Sequence, residues 1–194
     1  KKKKKKKKKK SKGEEVKGYL CILLTMITLN AESIKHFVNT GSIYGSVQYD
    51  WKGLYFENSN EGVYGSGVGL GVGILKEGYR INMAGSYLPS LEDSSGLIKY
   101  DVSAKQITIG ADIVSDRAVS GAIVNRPFFG ARVGVLTLDG SSSESGATYG
   151  VTLGSMSDPK STLGLEWHVT YDWTSVAGVD NLLAFGLAVN YKLN

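Results

Sequence analysis

Apolar and polar residues alternate along most of this chain. In the stretch LGLEWHVTYDW, residues 163–173, every odd-numbered residue is apolar and every even-numbered residue is glycine or polar. A period of two places successive side chains on opposite faces of an extended backbone. The stretch therefore predicts a β-strand with one apolar and one polar face, and the class of protein depends on which face meets water.

Eight segments with this period follow one another, separated by clusters of Gly, Asn, Asp and Ser at the spacing of antiparallel hairpins. They cover residues 41–51, 63–75, 78–88, 97–113, 128–138, 147–154, 163–173 and 182–193. In the fourth segment the apolar parity changes near Lys105 and Gln106, where we expect a β-bulge. Helical periodicity is missing after residue 31, so the sequence predicts an all-β fold.

The non-apolar faces carry mainly Gly, Ala and Ser, unlike the solvent face of a soluble sheet. Glycine occupies every second position from 65 to 73, where it would leave room for large side chains from neighbouring strands. The few ionisable residues on these faces are Arg80, Asp101, Arg132, Glu166, His168 and Asp172. This composition suits the crowded interior of a narrow barrel, where buried charges must pair.

The apolar faces are rich in Val, Ile, Leu and aromatic residues and carry almost no charge. Aromatic residues concentrate near the segment ends, as in the two girdles at membrane interfaces. The candidate interface aromatics are Trp51, Tyr79, Tyr87, Phe129, Tyr149, Trp167, Tyr171, Trp173 and Tyr191. We therefore predict an eight-stranded antiparallel up-and-down transmembrane β-barrel with its apolar face toward lipid. The alternative is a soluble sheet whose apolar face packs on a core.

The net charge of +5 is a misleading guide to partners. The lysines at positions 1–10, 12 and 17 supply 12 of the 23 basic residues, and beyond Ala31 there are 11 Lys and Arg against 16 Asp and Glu, a net charge of −5. An acidic folded part without a basic stripe interleaved with aromatic residues does not fit a nucleic-acid-binding protein. We expect no nucleic-acid partner.

The N-terminal segment has the layout of a secretory signal peptide. Basic residues precede an apolar run over 19–29 that is too short to span a bilayer, and Ala31 follows at a suitable cleavage point. We expect residues 1–31 to be a removed leader, with its poly-lysine start either genuine or an artefactual extension. Residues 32–41 would form a flexible periplasmic tail, and residues 42–194 the barrel. The one cysteine, Cys21, lies in the leader, so the mature chain would have no disulfide.

Glu166, His168 and Asp172 share one strand face, which raises the question of a catalytic or metal site. Only one other histidine, His36, is present, and no serine has a G-x-S-x-G context. We therefore expect no catalytic residue, cofactor or metal. The two carboxylates are expected to pair with inward arginine or lysine side chains.

The last segment carries the most specific signal. In AFGLAVNY, residues 184–191, Gly186 is followed by Val189 and Tyr191. This spacing resembles the C-terminal signal by which the bacterial assembly machinery recognises outer-membrane barrels. With YGSVQYDW, YRINMAGSYL, KYDVSAKQITIGADIV, FFGARVGVLTL and FGLAVNYKL, the chain from about Ser42 onward resembles the small outer-membrane β-barrel proteins of the OmpA/OmpX and opacity type.

The resemblance implies a monomer in the bacterial outer membrane with both termini in the periplasm. Its implied partners are outer-membrane lipid, the barrel assembly machinery and a surface ligand at the outer loops. Connections at 52–61, 89–96, 139–146 and 174–180 would be extracellular, and turns near 76–77, 115–125 and 155–161 periplasmic.

Several functions remain open at this point. The first is a non-enzymatic envelope structural or surface-interaction role, adhesin-like, with specificity in the outer loops. The second is a narrow porin-like channel for ions or small solutes, because the glycine-rich second segment would leave lumen volume unfilled. The third is a soluble lipocalin-like periplasmic binding barrel, which requires an apolar lumen. An envelope enzyme would need a polar cluster at the barrel rim, and the pattern shows none.

Overall fold

The computed structural model describes residues 40–57, 62–76, 78–93, 98–115, 117, 126–157 and 161–193. These residues belong, apart from Thr40 and Gly41, to the compact unit Ser42–Asn194. The predicted leader and almost all of the predicted tail lie outside the described residues. Within the described part, no helix has the length and hydropathy needed to cross a bilayer.

Ten strands make up the described part of the fold, and eight of them are long. They are β1 (Ser42–Phe56), β2 (Gly62–Lys76), β3 (Tyr79–Leu88), β4 (Leu91–Asp93), β5 (Lys99–Tyr100), β6 (Ser103–Val114), β7 (Arg126–Asp139), β8 (Ser143–Met156), β9 (Leu163–Thr174) and β10 (Val179–Lys192). Each long strand pairs antiparallel with two long neighbours, and β1 pairs with both β2 and β10. The sheet therefore closes into the predicted eight-stranded barrel, while β4 and β5 form a short extension on β2.

The prediction of a β-bulge near Lys105 and Gln106 is wrong. Strand β6 pairs without a register shift with both β3 and β7, and its side chains alternate regularly between buried and exposed. The apparent change of parity arose because Tyr100 was counted in the same strand, whereas it belongs to β5. The one irregularity in the β1–β10 pairing lies between Tyr55 and Phe56.

Several predicted connections include residues that belong to strands in the structure. Strand β1 continues to Phe56, so the predicted 52–61 connection begins inside a strand, and Lys52 faces the lumen. Strand β8 likewise begins at Ser143, and β4 occupies part of the predicted 89–96 connection. The strands continue through these positions because a strand ends where its backbone hydrogen bonds to the neighbouring strand end, and residue composition does not show that point.

An apolar cluster lies at each end of the lumen. We call the end where β1 stops and β2 begins the loop end, and the opposite end the turn end. The loop-end cluster comprises Leu54, Val63, Leu88, Leu91, Ala104, Leu136, Val176, Val179 and Leu182. The turn-end cluster comprises Val114, Phe128 and Met156, with Leu75 packed against them. The polar part of the lumen therefore lies between two apolar layers.

The outer surface carries an apolar band. Every long strand presents exposed apolar side chains outward, among them Val47, Leu70, Met83, Ile109, Val135, Leu153, Leu165 and Leu187. On β9 the outward positions run from Leu163 to Trp173. Ten residue steps at about 3.3 Å extend about 33 Å along the strand. With a tilt near 40° this is about 25 Å along the barrel axis, the height of the apolar band in outer-membrane barrels.

The glycines of β2 make room for side chains of β1. A Cβ added at Gly69 would lie 2.6 Å from Gln48 Nε2, and one added at Gly73 would lie 2.3 Å from the Tyr44 hydroxyl. Gly71 has the same relation to Ser46. The space left by these glycines is therefore filled by neighbouring side chains rather than left as lumen volume.

Replacing Gly69 by valine should lower the free energy of unfolding of the barrel by about 1–3 kcal/mol, because the added atoms overlap Gln48 and the Gly85 carbonyl oxygen. The matched control is Leu70→Val on the same strand, whose side chain is 68% exposed on the outer face. Urea unfolding in detergent, followed by the gel mobility of unboiled samples, measures both. Equal stability of the two variants would contradict this account of the β2 glycines.

Candidate functional site

The candidate site is a belt of polar side chains in the lumen between the two apolar clusters. We use the name polar belt for its charged members, which come from five strands. They are Asp50, Lys52, Arg80, Asp112, Arg132, Glu166, His168 and Asp172. Burial of this many ionisable groups is costly unless each finds a partner, so their contacts decide what the belt can do.

Arg80 joins three strands at the centre of the belt. Its Nε donates to Asp112 Oδ2 at 2.6 Å, and its Nη1 donates to Glu166 Oε2 at 2.5 Å. The guanidinium carbon lies 4.2 Å from the ring centroid of Phe128, which gives the cation a π face as well. Asn190 Nδ2 donates to the same Glu166 oxygen at 3.0 Å. One arginine of β3 is thus linked to β6 and β9.

Arg132 forms a two-pronged ion pair with Asp172. Its Nε donates to Asp172 Oδ1 at 2.7 Å, and its Nη2 donates both to Asp172 Oδ2 and to Thr170 Oγ1. Gln106 Nε2 donates to Asp172 Oδ2 at 2.9 Å. Bidentate contacts of this kind hold both planar groups in one orientation. This pair connects β7 to β9 with support from β6.

Lys52 reaches across the lumen at the level of the loop-end cluster. Its Nζ donates to Ser86 Oγ at 2.6 Å and to Gln106 Oε1 at 2.7 Å, and it lies 3.6 Å from Asp50 Oδ2. Gln106 therefore joins Lys52 to the Arg132–Asp172 pair. These contacts tie β1 to β3 and β6.

The structure brings most of the ionisable residues singled out from the sequence into the polar belt, but not all. Arg80, Arg132, Glu166 and Asp172 are direct ion-pair partners, and His168 lies beside Glu166. The prediction that Asp101 faces the lumen is wrong. Asp101 is exposed and lies between β5 and β6, so the alternation of the fourth predicted segment does not extend across it.

Sequence reasoning missed three members of the belt. Asp112 lies on the inward parity of β6, the face opposite Ile109 and Ile113. Asp50 lies on the inward parity of β1 within the predicted segment, and Lys52 lies on the same parity just beyond residue 51, where that segment ends. The available signal was the alternation itself, continued to the true strand ends.

The outward aromatics form two groups. Trp51, Tyr87, Tyr149 and Trp173 are exposed toward the loop end, where Tyr149 stacks on Trp173 and Tyr171 packs against it edge-on, half-buried. Tyr79, Phe129 and Tyr191 are exposed near the turn end. Trp167 is half-buried and lies four residues inside β9.

The residues of the predicted assembly signal occupy both faces of β10. Val189 and Tyr191 point outward and are exposed. Gly186 points inward, where a Cβ would lie 2.2 Å from His168 Nε2. Gly186 therefore has a packing role in the folded barrel that is independent of any recognition during assembly.

The belt has the chemistry of a structural cross-link. Its remaining cavity is about 60 Å³, enough for about four waters. Among the described residues, no group of three or more His, Cys, Asp or Glu side chains has a metal-binding arrangement. The hydrogen bonds of Lys52, Arg80 and Arg132 go to protein acceptors on other strands.

Comparison with solved structures identifies the fold. Neisserial surface protein A superposes with a TM-score of 0.63 at 16% sequence identity, over 78% of this chain and 97% of that one. Ail, the attachment invasion locus protein of Yersinia pestis, solved with the heparin analogue sucrose octasulfate, gives 0.47 at 16% identity over 79% and 99%. A major outer membrane protein of Thermus thermophilus gives 0.39 at 14% identity over 77% and 99%. Only the first score is high enough to support a shared fold.

No protein-family model matches the sequence, and no curated protein matches it significantly. The closed barrel, its apolar exterior and the likeness to Neisserial surface protein A nevertheless agree. The chain has the fold of the small outer-membrane β-barrel proteins, which confirms the predicted fold class.

Replacing Arg80 by methionine should destabilise the barrel by about 3–5 kcal/mol, because Asp112 and Glu166 would be left buried without their cation. The matched control is Lys105→Met, since Lys105 pairs with Asp139 at 2.7 Å on the exposed surface. That substitution should have little effect. Urea midpoints of the two refolded variants provide the measurement, and equal losses would mean that the Arg80 contacts do not stabilise the barrel.

Proposed function

We propose that this chain is a non-enzymatic outer-membrane barrel with an envelope structural or surface-interaction role of adhesin type. The observation that carries the proposal is the filled lumen, in which cross-linked charges lie between two apolar clusters. A barrel filled in this way is a rigid support. Specific contacts would then be made by the segments at the loop end.

The loop end has the features of a contact surface. The β4–β5 hairpin extends the sheet there, with Val63 opposite Asp93 and Leu91 opposite Tyr100. Ile98 and Tyr100 are exposed beside it, at 55% and 40%. Ordered, partly apolar extensions lose little conformational entropy on binding, which favours recognition of a surface ligand.

The proposed topology places the loop end outside the cell and both chain termini in the periplasm. Residues 1–31 would direct export as a signal peptide, and 32–41 would be a periplasmic tail. Gly186, Val189 and Tyr191 would be read by the barrel assembly machinery. The barrel would act as a monomer in outer-membrane lipid, without a cofactor.

A narrow channel is the second candidate, favoured only by the small polar cavity in the belt. The apolar clusters oppose it, because an ion would have to cross both without water or ligands. A soluble lipocalin-like binder is disfavoured as well, since the lumen is polar and the exterior apolar.

In planar bilayers the purified barrel should show no sustained conductance steps in concentrated KCl, because side chains fill the lumen and an apolar cluster lies at each end. A faster-migrating unboiled band on a denaturing gel serves as the control that the sample contains folded barrel. Long-lived open steps from such a sample would favour the channel.

Labelling of whole cells tests the proposed orientation. A cysteine introduced at Ile98, which is exposed at the loop end, should react with a membrane-impermeant maleimide on intact cells. A cysteine at Ser161, exposed before β9 at the turn end, should react only after the outer membrane is opened. The reverse pattern would invert the orientation and remove the loop end as a contact surface.

A further inference from the structure

His168 is placed between two carboxylates. Its Nδ1 lies 3.4 Å from Glu166 Oε1 on the same strand, and its Nε2 lies 3.7 Å from Asp50 Oδ1 of β1. A neutral imidazole has one N–H donor and one lone pair, whereas the imidazolium has two donors. In the neutral form, whichever the tautomer, one carboxylate oxygen would face a lone pair.

Asp50 supplies an independent observation. Its Oδ2 accepts a hydrogen bond from Gln48 Nε2 at 3.1 Å, while its buried Oδ1 has no hydrogen-bond partner among the described residues. His168 Nε2 is the ring nitrogen that faces this oxygen. A proton on Nε2 would give Asp50 Oδ1 its missing donor after a small shift of either side chain.

The charge count of the belt points the same way. Four carboxylates face the lumen, one from β1, one from β6 and two from β9, against three cations from β1, β3 and β7. The carboxylates are Asp50, Asp112, Glu166 and Asp172, and the cations are Lys52, Arg80 and Arg132. Among the described residues, β8 and β10 add no charged group to this cavity. One positive charge is missing.

The ring is also held in place. It lies directly over Gly186 of β10, where an added Cβ would meet His168 Nε2 at 2.2 Å and Asp50 Oδ1 at 2.7 Å. Lys192, the nearest cation outside the belt on β10, lines a separate small cavity with Leu75 and Met156. It cannot substitute for the missing charge without repacking the turn end.

We propose that His168 is held as an imidazolium in the folded barrel and is the fourth cation of the polar belt. Release of its proton would leave one buried carboxylate unbalanced and loosen the links between β1, β9 and β10. The barrel would then be most stable at neutral and mildly acidic pH and would weaken in alkaline surroundings.

The direct test is NMR of the full chain in detergent micelles with labelled histidine, using His36→Gln so that only His168 gives a signal. The expected result is a ring with both N–H groups at pH 8, where an ordinary imidazole is neutral. A ring with a single N–H at pH 7 would overturn the proposal. The belt would then be balanced in another way, for example by a bound monovalent cation.

Unfolding measurements give a second test. If the folded barrel binds one proton more than the unfolded chain, the unfolding equilibrium constant should rise by up to about tenfold per pH unit above about pH 6.5. His168→Gln should remove this part of the pH dependence. Parallel pH profiles for the two proteins would contradict the proposal.

A compensating substitution separates charge from packing. His168→Gln should lower the urea midpoint, and adding Asp50→Asn should recover part of the loss, because three carboxylates then face three cations. If His168 acted only by filling space, the second substitution would lower the midpoint further, and that outcome would overturn the proposal.

Discussion

Every ionised side chain in the polar belt must find its opposite charge inside the barrel, because the exterior of the wall is apolar and an apolar cluster lies at each end of the lumen. An unpaired charge there would cost several kcal/mol. The fold meets this constraint by distributing cations and carboxylates over different strands. Arg80 contacts carboxylates from β6 and β9, and Arg132 contacts one from β9. The belt is therefore a set of cross-links between distant parts of the wall.

The same constraint explains the small residues of the wall. Long polar side chains need space to reach their partners across a narrow lumen, and glycines on neighbouring strands supply it, as at Gly69 beneath Gln48 and Gly186 beneath His168. A glycine-rich strand that favours an open channel when read alone is thus part of a filled interior. The exterior is apolar over about 25 Å along the barrel axis and the middle of the lumen is polar, which is the reverse of a soluble barrel.

The loop-end segments can vary because the wall does not depend on them. The long strands carry the closed pairing, and the belt and apolar clusters fix the interior. The β4–β5 hairpin adds only two short pairings at the loop end. A rigid support of this kind accepts variation in its connections, which is why one fold serves unrelated surface roles and cannot by itself name a ligand.

The sequence by itself determined the fold class, the strand number and the face of nearly every strand residue, because a period of two is a local property of extended backbone. It could not determine strand ends or partners. The sequence pattern puts Asp101 on the inward face only if parity is extended across the break between β5 and β6, and it omits Lys52 because the predicted first strand ends at residue 51. The ion pair between Arg80 and Glu166, which are 86 residues apart, forms only when the barrel closes. No local sequence pattern encodes that closure. Tertiary structure also decided that the glycine-lined space is filled and that His168 lies between two carboxylates.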